Sequence, residues 1–518
     1  MAETQRYILA IDLGTSALKV ALVSVGGRVV GSESEPIALT LLPQGGAEQH
    51  PSAWWAAVRR TVARLLAKEL VPRQAIVGIG CTAQWSGTVP VDLEGRPLAN
   101  AVIWMDSRGA ADIRRITAGA VRLEGYGVDK LWRWIRKTGG IPGASGKDSL
   151  AHILFLKRRY PETYRAAHKF LEPKDYLNLC LTGRFAASFD SMALHWVTDN
   201  RNLQAVRYAP DLLALTGLDQ NQLPDLLPAP AVLGQVKPAV AEELGLRPDV
   251  QVVAGTPDLH SAAIGSGATR DLQAHLYVGT SSWLTCHVPH KKTDLLRNMA
   301  TLPSAIPGRY FVANEQETAG ACLAFLRNNL LYPGAQKPAF AQMSEEAASV
   351  PPGSDGLLFT PWLYGERTPV EDRLIRGGFQ NLSLGATRAH LIRSVMEGVA
   401  LNSRWLLESV ESFTGRRLDP IRMIGGGAQS GLWCQIYADV LGRTIEQVQD
   451  PLEANVRGAA LVAAVGLGYL DFEQVPDLVP VARVFRPRSE HRPTYERLYR
   501  AFRKLYRHHK TICRMLNE

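Results

Sequence analysis

Tyr7-Ile8-Leu9-Ala10-Ile11-Asp12-Leu13-Gly14-Thr15-Ser16-Ala17-Leu18-Lys19-Val20-Ala21-Leu22-Val23-Ser24 is apolar on both sides of one short polar triplet. Two apolar runs parted by Gly14-Thr15-Ser16 read as strand, tight turn, strand. Gly26-Gly27 then turns the chain into a third strand over residues 28–31, so the chain opens as a β-meander. Helical spacing follows over 53–70, then a strand over 75–80, a polar loop from Thr82, and another strand over 88–92 ending at Glu94-Gly95. Strands and helices alternate from there on, which sets the class as α/β.

The opening pattern recurs. Residues 220–250 carry Pro224, Pro228, Pro230, Pro238 and Pro248, after which an apolar strand over 250–254 begins a second unit. That places a boundary at 253, with units 1–253 and 254–518. The second unit holds a strand over 274–278, Gly279-Thr280-Ser281, and a strand over 283–288. One such hairpin per half predicts two domains of like fold facing each other across a ligand; a chance match of two short motifs is the alternative.

Gly14, Thr15 and Ser16 suit a phosphate: glycine lets backbone approach closely, and successive N–H groups with two hydroxyls form a cradle for anionic oxygens. Asp12, at the strand end, is the candidate for holding Mg²⁺, a hard cation that takes carboxylate oxygen and few protein ligands. A single such triplet reads as an ordinary turn. With Gly279, Thr280 and Ser281 as a second wall, the pair supplies the positioning that phosphoryl transfer requires. Asp258 follows a strand and the turn Gly255-Thr256-Pro257. It is either a helix-start aspartate favoured by the macrodipole or, at the carboxyl end of a strand where α/β sheets bind ligands, a general base. Pairing with the two hairpins favours the base. Gly426, Gly427, Ala428 and Ser430, from a triple-glycine turn after a strand over 421–424, are candidates for the nucleotide, although such turns are more often tight connections.

Gln84 and Trp85 in one loop, with Trp104, Asp106 and Arg108 in the next, combine aromatic faces with paired donors and acceptors, as a polyhydroxylated ligand requires. The alternative makes the tryptophans core residues and Asp106–Arg108 a surface pair. Gly143-Ala144-Ser145-Gly146-Lys147-Asp148 looks like a P-loop, yet Ile141 and Asp148 stand where that motif needs Gly and Ser or Thr.

Composition narrows the class. The 518 residues are 46% hydrophobic and 21% charged, which suits a globular chain of several domains and excludes a disordered one. Of the formal charge of +9, residues 489–518 supply +5 from eight Lys/Arg against three Asp/Glu. Tyr495, Leu498, Phe502, Leu505, Tyr506, His509, Ile512 and Leu516 recur there at helical steps, so the basic residues form the wet face of a docked helix and not a nucleic-acid patch. Cys81, Cys180, Cys286, Cys322, Cys434 and Cys513 show no CxxC and no paired histidine spacing, which argues against disulfides and zinc. Residues 458–470 form the longest uncharged apolar run, too short for a bilayer. The expectation is a soluble cytoplasmic protein that binds a small sugar or polyol, with a second copy of the chain the one macromolecular partner left open.

Taken together, these segments resemble the FGGY carbohydrate kinases over nearly the whole chain, and within them the xylulose-phosphorylating branch. Besides Asp12 to Ser16 and the triple glycine, the resemblance rests on residues 49–55, Pro173-Lys174-Asp175-Tyr176-Leu177 with Leu181-Thr182-Gly183, Gly365-Glu366-Arg367-Thr368-Pro369, and Ala438-Asp439-Val440-Leu441-Gly442-Arg443. It implies two actin-like, ribonuclease-H-like domains with a cleft between them, ATP with Mg²⁺ as donor, closure around an open-chain sugar, and Asp258 as catalytic base. Trp104, Asp106 and Arg108 match the family's Trp-x-Asp-x-Arg segment, which favours a ketopentose such as D-xylulose. Gln84-Trp85-Ser86-Gly87 departs from the usual Gln-Met-His-Gly and removes a sugar-contacting histidine, which admits ribulose, a tetritol or glycerol as acceptor. His152 and Asn381 are further departures, at positions where Lys and Gly are usual. A non-catalytic sugar or nucleotide sensor is the rival from another class, and it has no need of Asp12, both hairpins and Asp258 together.

Overall fold

In the computed structural model, which describes residues 5–517 apart from 124 and 335, the opening stretch forms strands β1 (Tyr7–Leu13) and β2 (Ala17–Ser24), paired antiparallel with Leu13 opposite Leu18. They join β3 (Val29–Pro36), β4 (Ile76–Ala83), β5 (Val232–Gln235) and β6 (Gln251–Val253) in a sheet of order β5-β6-β4-β1-β2-β3. β4 runs parallel to β1, β6 runs parallel to β4, and β5 closes the edge antiparallel. β1 and β4 are apolar along nearly their whole length because both faces of the sheet are covered.

The second half repeats this pattern strand for strand. β7 (Ala274–Val278) and β8 (Ser282–Thr285) form the antiparallel hairpin. β9 (Ile421–Ile424) and β10 (Ile445–Val448) add in parallel, and β11 (Val481–Phe485) closes the edge antiparallel, giving β8-β7-β9-β10-β11. The counterpart of β3 is detached: β8 meets the chain just past the neighbouring four-stranded sheet, through a bridge from Ser282 to Gln316 and hydrogen bonds between Leu284 and the Asn314 side chain. The strand expected over 283–288 breaks accordingly, with His287–Val288 joining that other sheet.

Seven helices set the layers: α1 (Pro51–Leu66), α2 (Pro173–Thr182), α3 (Asp258–Gly265), α4 (Arg388–Thr414), α5 (Gly431–Leu441), α6 (Ala454–Gly466) and α7 (Arg492–Asn517). Trp54, Val58 and Leu65 of α1 cover the face of the first sheet that carries Leu9, Ile11 and Leu22. Its other face, with Ile8, Ala10 and Val23, packs on Ala262 and Ile264 of α3 and on Ala459, Ala460 and Leu461 of α6, together with Ile424 and Val448 of the second sheet. The far face of the second sheet is covered by α4 and α5. The result is five layers, helix, sheet, helix pair, sheet, helices, with α3 and α6 in the middle.

The middle layer is close-packed because of glycine. A Cβ on Gly458 would lie 1.8 Å from the Ser261 carbonyl oxygen, one on Gly265 1.7 Å from that of Ala454, and one on Gly80 of β4 2.3 Å from that of Ala459. At these points backbone meets backbone, and a side chain would force the layers apart.

α7 docks through Tyr495, Leu498, Tyr499 and Phe502, as its helical spacing predicts. Ile512 and Leu516, expected on the same docked stripe, are exposed, because the last turns dock instead through buried Cys513 and through Asn517, whose Nδ2 donates to the Leu374 carbonyl at 3.0 Å.

Candidate active site

The two Gly-Thr-Ser turns close differently but leave the same groups free. Gly14 donates its N–H to the Ala17 carbonyl at 3.0 Å, and Gly279 donates to the Ser281 carbonyl at 3.0 Å. Among the described residues, the N–H groups of Thr15, Ser16, Thr280 and Ser281 have no backbone acceptor, so both turns present open donors. The second turn is held from behind: Gly320 donates to the Gly279 carbonyl at 2.7 Å and Ala319 to that of Thr280 at 2.8 Å. The Thr15 hydroxyl, expected to face a phosphate, is engaged within the protein. It donates to Gln84 Oε1 at 3.0 Å and accepts from Trp104 Nε1 at 2.8 Å.

Gln84 belongs to the same lattice. Its Nε2 donates to Gln49 Oε1 at 2.7 Å, and Gln49 Nε2 returns to the Thr15 carbonyl at 2.7 Å, so Thr15, Gln84 and Gln49 form a closed ring of hydrogen bonds. The ring fixes the first turn against the loop after β4. Gln49 opens the 49–55 segment on which the resemblance rests, but its place in this ring has no signal in the sequence.

Asp258 starts α3 and remains partly exposed. Burial, and then the like charge of Asp12, push its carboxyl up to about 8. Burial likewise raises Asp12 to about 6, with Lys19 and Asn455 acting in the opposite direction. Tyr277 of β7, whose hydroxyl lies where a Cβ on Gly279 would come within 2.1 Å, is raised to about 12 by burial, then by Asp258 and Asp12. The two carboxylates and the root of the second turn are therefore electrostatic neighbours, the convergence that the repeated hairpin predicts. The segment just before Asp258 is anchored to the first sheet's side: Lys174 Nζ and Asn178 Nδ2 of α2 donate to the Ala254 carbonyl at 2.7 and 2.8 Å. Thr256 Oγ1 donates to buried Asp190, and Lys174 also pairs with Asp175.

Three expected ligand residues are occupied by the protein's own contacts. Asp106 is fully buried, and its oxygens accept from the Ala47 N–H at 2.8 Å and from the Arg108 N–H and Nε at 2.9 and 2.8 Å. Arg108 continues to Glu48 at 2.6 Å and lies over the Phe155 ring. Asp106 and, through Nε and Nη2, Arg108 are spent on bracing these loops, while among the described residues Arg108 Nη1 has no partner. Trp85 Nε1 donates to the Ser191 carbonyl at 3.0 Å, and its ring meets His260 edge-on at 5.3 Å, which leaves only its exposed face for a sugar.

The triple-glycine turn divides similarly. Gly426 is exposed with open space at its Cβ position, whereas Gly427 abuts Val278 next to the second turn. Ala428 is buried, its carbonyl taken by Gln447 at 2.6 Å. Ser430 is the N-cap of α5, accepting from the Trp433 N–H at 3.2 Å. Gly426 is thus the open member of the turn, while Gly427, Ala428 and Ser430 support it from behind.

The N-terminal domain of the FGGY family of carbohydrate kinases is matched by residues 7–265 and the family's C-terminal domain by residues 274–467. The chain belongs to the FGGY carbohydrate kinases. It is 30% identical to the xylulose kinase of Staphylococcus epidermidis over 512 residues, 98% of each chain, and 28% identical to that of Bacillus subtilis over 98% of each. Among solved structures it resembles the xylulose kinase of Rhodospirillum rubrum at a TM-score of 0.83 and 28% identity, over 98% of this chain and 100% of the other. An FGGY kinase is a sugar phosphotransferase, so the open donors of the two turns and the neighbouring carboxylates are read against phosphoryl transfer to a sugar hydroxyl.

Proposed function

We propose that this FGGY kinase transfers the γ-phosphoryl group of ATP to a hydroxyl of an open-chain sugar, with D-xylulose, giving the 5-phosphate, the first acceptor to test. The observation that carries the reading is that Asp12 raises Asp258 and that both carboxylates raise Tyr277, whose hydroxyl abuts Gly279 of the second turn. Thr15, Ser16, Thr280 and Ser281 would orient the polyphosphate through their free N–H groups, and Gly426 would carry the adenosine side. Asp258 would take the proton from the acceptor hydroxyl as that oxygen bonds the γ-phosphorus and the bond to the ADP oxygen breaks.

Asp12 fits Mg²⁺. Its Oδ1 is buried without a hydrogen-bond partner, and among the described residues no cluster of three His, Cys, Asp or Glu forms a rival cage. A dication that keeps its waters and takes one or two carboxylates together with substrate phosphates needs no more than this. When bound, the ion would offset the negative charge that gathers on the phosphates.

The boundary at 253 suits this division of labour, since β6 completes the first sheet and Asp258 opens the helix that follows. Bending, however, is better placed beyond residue 256 than over 250–256, which α2 and Asp190 tie down. No helix is long and apolar enough to cross a membrane among the described residues. The six cysteines are free and mostly buried, which supports a reducing, cytoplasmic setting. Coupled ADP release measured over D-xylulose, ribulose, a tetritol and glycerol tests the reading: turnover is expected with the ketopentoses, and ATP-dependent turnover with none of the four would overturn it.

A further inference from the structure

The internal repeat brings one further side chain to the cleft. With Gly14 laid on Gly279, Asp12 of β1 falls on Tyr277 of β7, each standing two residues before the glycine of its turn. The two positions also share a face. Ile8 and Ala10, which alternate with their neighbours along β1 in step with Asp12, belong to the cluster built on α3 and α6, and Tyr277 packs against that same cluster together with Trp283 and Ile424. Asp12 and Tyr277 therefore approach the cleft from the two sheets, over one helix pair.

The Tyr277 ring is held at three points. It stacks on Trp283 with 3.9 Å between ring centres and 11° between planes. A Cβ on Gly425, the first residue of the triple glycine, would lie 3.2 Å from Tyr277 Cδ2, and one on Gly279 would lie 2.1 Å from the Tyr277 hydroxyl oxygen and 2.4 Å from Cζ. The hydroxyl thus stands at the root of the second turn, in the space where a side chain at 279 would begin. Tyr277 is half-buried, yet among the described residues its hydroxyl has no hydrogen-bond partner; outside the strand ladder Tyr277 bonds through its carbonyl, which accepts from Ser282 Oγ at 2.8 Å. Phenylalanine would serve the stack equally, so the oxygen is the part of the residue that the protein's own packing does not explain. It is a proton donor at neutral pH, beside a turn whose Thr280 and Ser281 N–H groups are open as well.

We propose that Tyr277 is a further phosphate-binding residue, whose hydroxyl donates a hydrogen bond to an oxygen of the nucleotide's polyphosphate at the second turn. This rests on the kinase reading above and adds a residue to it. Tyr277 is then the second half's counterpart of Asp12: one wall meets the phosphates through a carboxylate that suits a cation, the other through a neutral donor. The bond is assigned to the phosphates and not to the sugar because the hydroxyl adjoins Gly279 and the ring adjoins Gly425, both in turns of the second half, whereas Gln84, Trp85 and Trp104 come from the first. A hydroxyl that donates to a charged phosphate oxygen makes a charge-assisted bond, stronger than one between neutral groups.

The test is Tyr277→Phe, which keeps the ring on Trp283 and removes only the oxygen. Calorimetric titration compares a non-hydrolysable ATP analogue with Mg²⁺, and adenosine, in the wild type and the variant. Binding of the analogue should weaken by about 10-fold and that of adenosine by less than about twofold. In turnover, the KM for ATP should rise while that for the acceptor stays constant. The proposal is overturned if analogue binding is unchanged, if adenosine weakens as much as the analogue, if the KM of the acceptor alone rises, or if the wild type does not bind the analogue. Should the wild type phosphorylate no acceptor, the kinase reading fails by itself, and the comparison of analogue with adenosine still decides the phosphate contact.

Discussion

In the proposed reaction Asp258 takes the acceptor's proton, and its environment makes its protonation measurable. Its folded value near 8 stands above the ordinary 3.8, so the folded chain holds this proton more tightly than the unfolded chain does. The stability tied to that proton is complete below about pH 4 and is lost as pH rises through 8. Asp258→Asn cannot ionise, and its melting temperature should exceed that of the wild type by a margin that widens from pH 4 to pH 8 and then stays constant. Asp12→Asn removes the like charge and should move the midpoint of that widening to lower pH. A margin independent of pH would show that Asp258 is not in the desolvated pair. At this scale the sequence was only partly legible. Asp12 and Asp258 stood out because each follows an apolar strand, and an Asp106–Arg108 pair was legible as the alternative, whereas nothing local indicates that Asp106 also accepts from the Ala47 N–H or that the Thr15 hydroxyl belongs to Gln84. Those two partners lie 59 and 69 positions away, which spacing and periodicity do not register.

Among the elements, the hairpins were legible and the middle helices were not. β1, β2, β7 and β9 come from mostly apolar runs next to glycine-containing turns, where pattern and structure agree. The repeat noticed in two triplets extends through whole sheets because the parallel strands β4, β6, β9 and β10 follow the same order in both halves. Residues 458–470, most of them in α6, read only as an uncharged apolar run, and the role of α3 and α6 as the shared layer depends on where their glycines cross. Gly458→Val places side-chain atoms on the Ser261 carbonyl and should cost about 3 kcal/mol or more in urea unfolding. A loss below about 1 kcal/mol would mean that the crossing tolerates separation.

For the whole molecule, the five-layer stack leaves the two sheets joined through α3 and α6, with Lys19 of one half bound to the Leu452 carbonyl and Glu453 of the other at 2.8 and 3.2 Å. A kinase must exclude water from the transferring phosphoryl group, and bringing the two turns together does so. Small-angle scattering with sugar and a non-hydrolysable ATP analogue should therefore show a smaller radius of gyration than the free protein, and superimposable curves would count against closure. Beneath all of this lies the placement of one carboxylate between two phosphate turns. The measurement closest to it is the single-turnover rate of phosphoryl transfer in Asp258→Asn at saturating sugar and MgATP. A fall of about 10²- to 10⁴-fold with both ligands still bound is expected, and a rate within about threefold of the wild type would contradict the assignment.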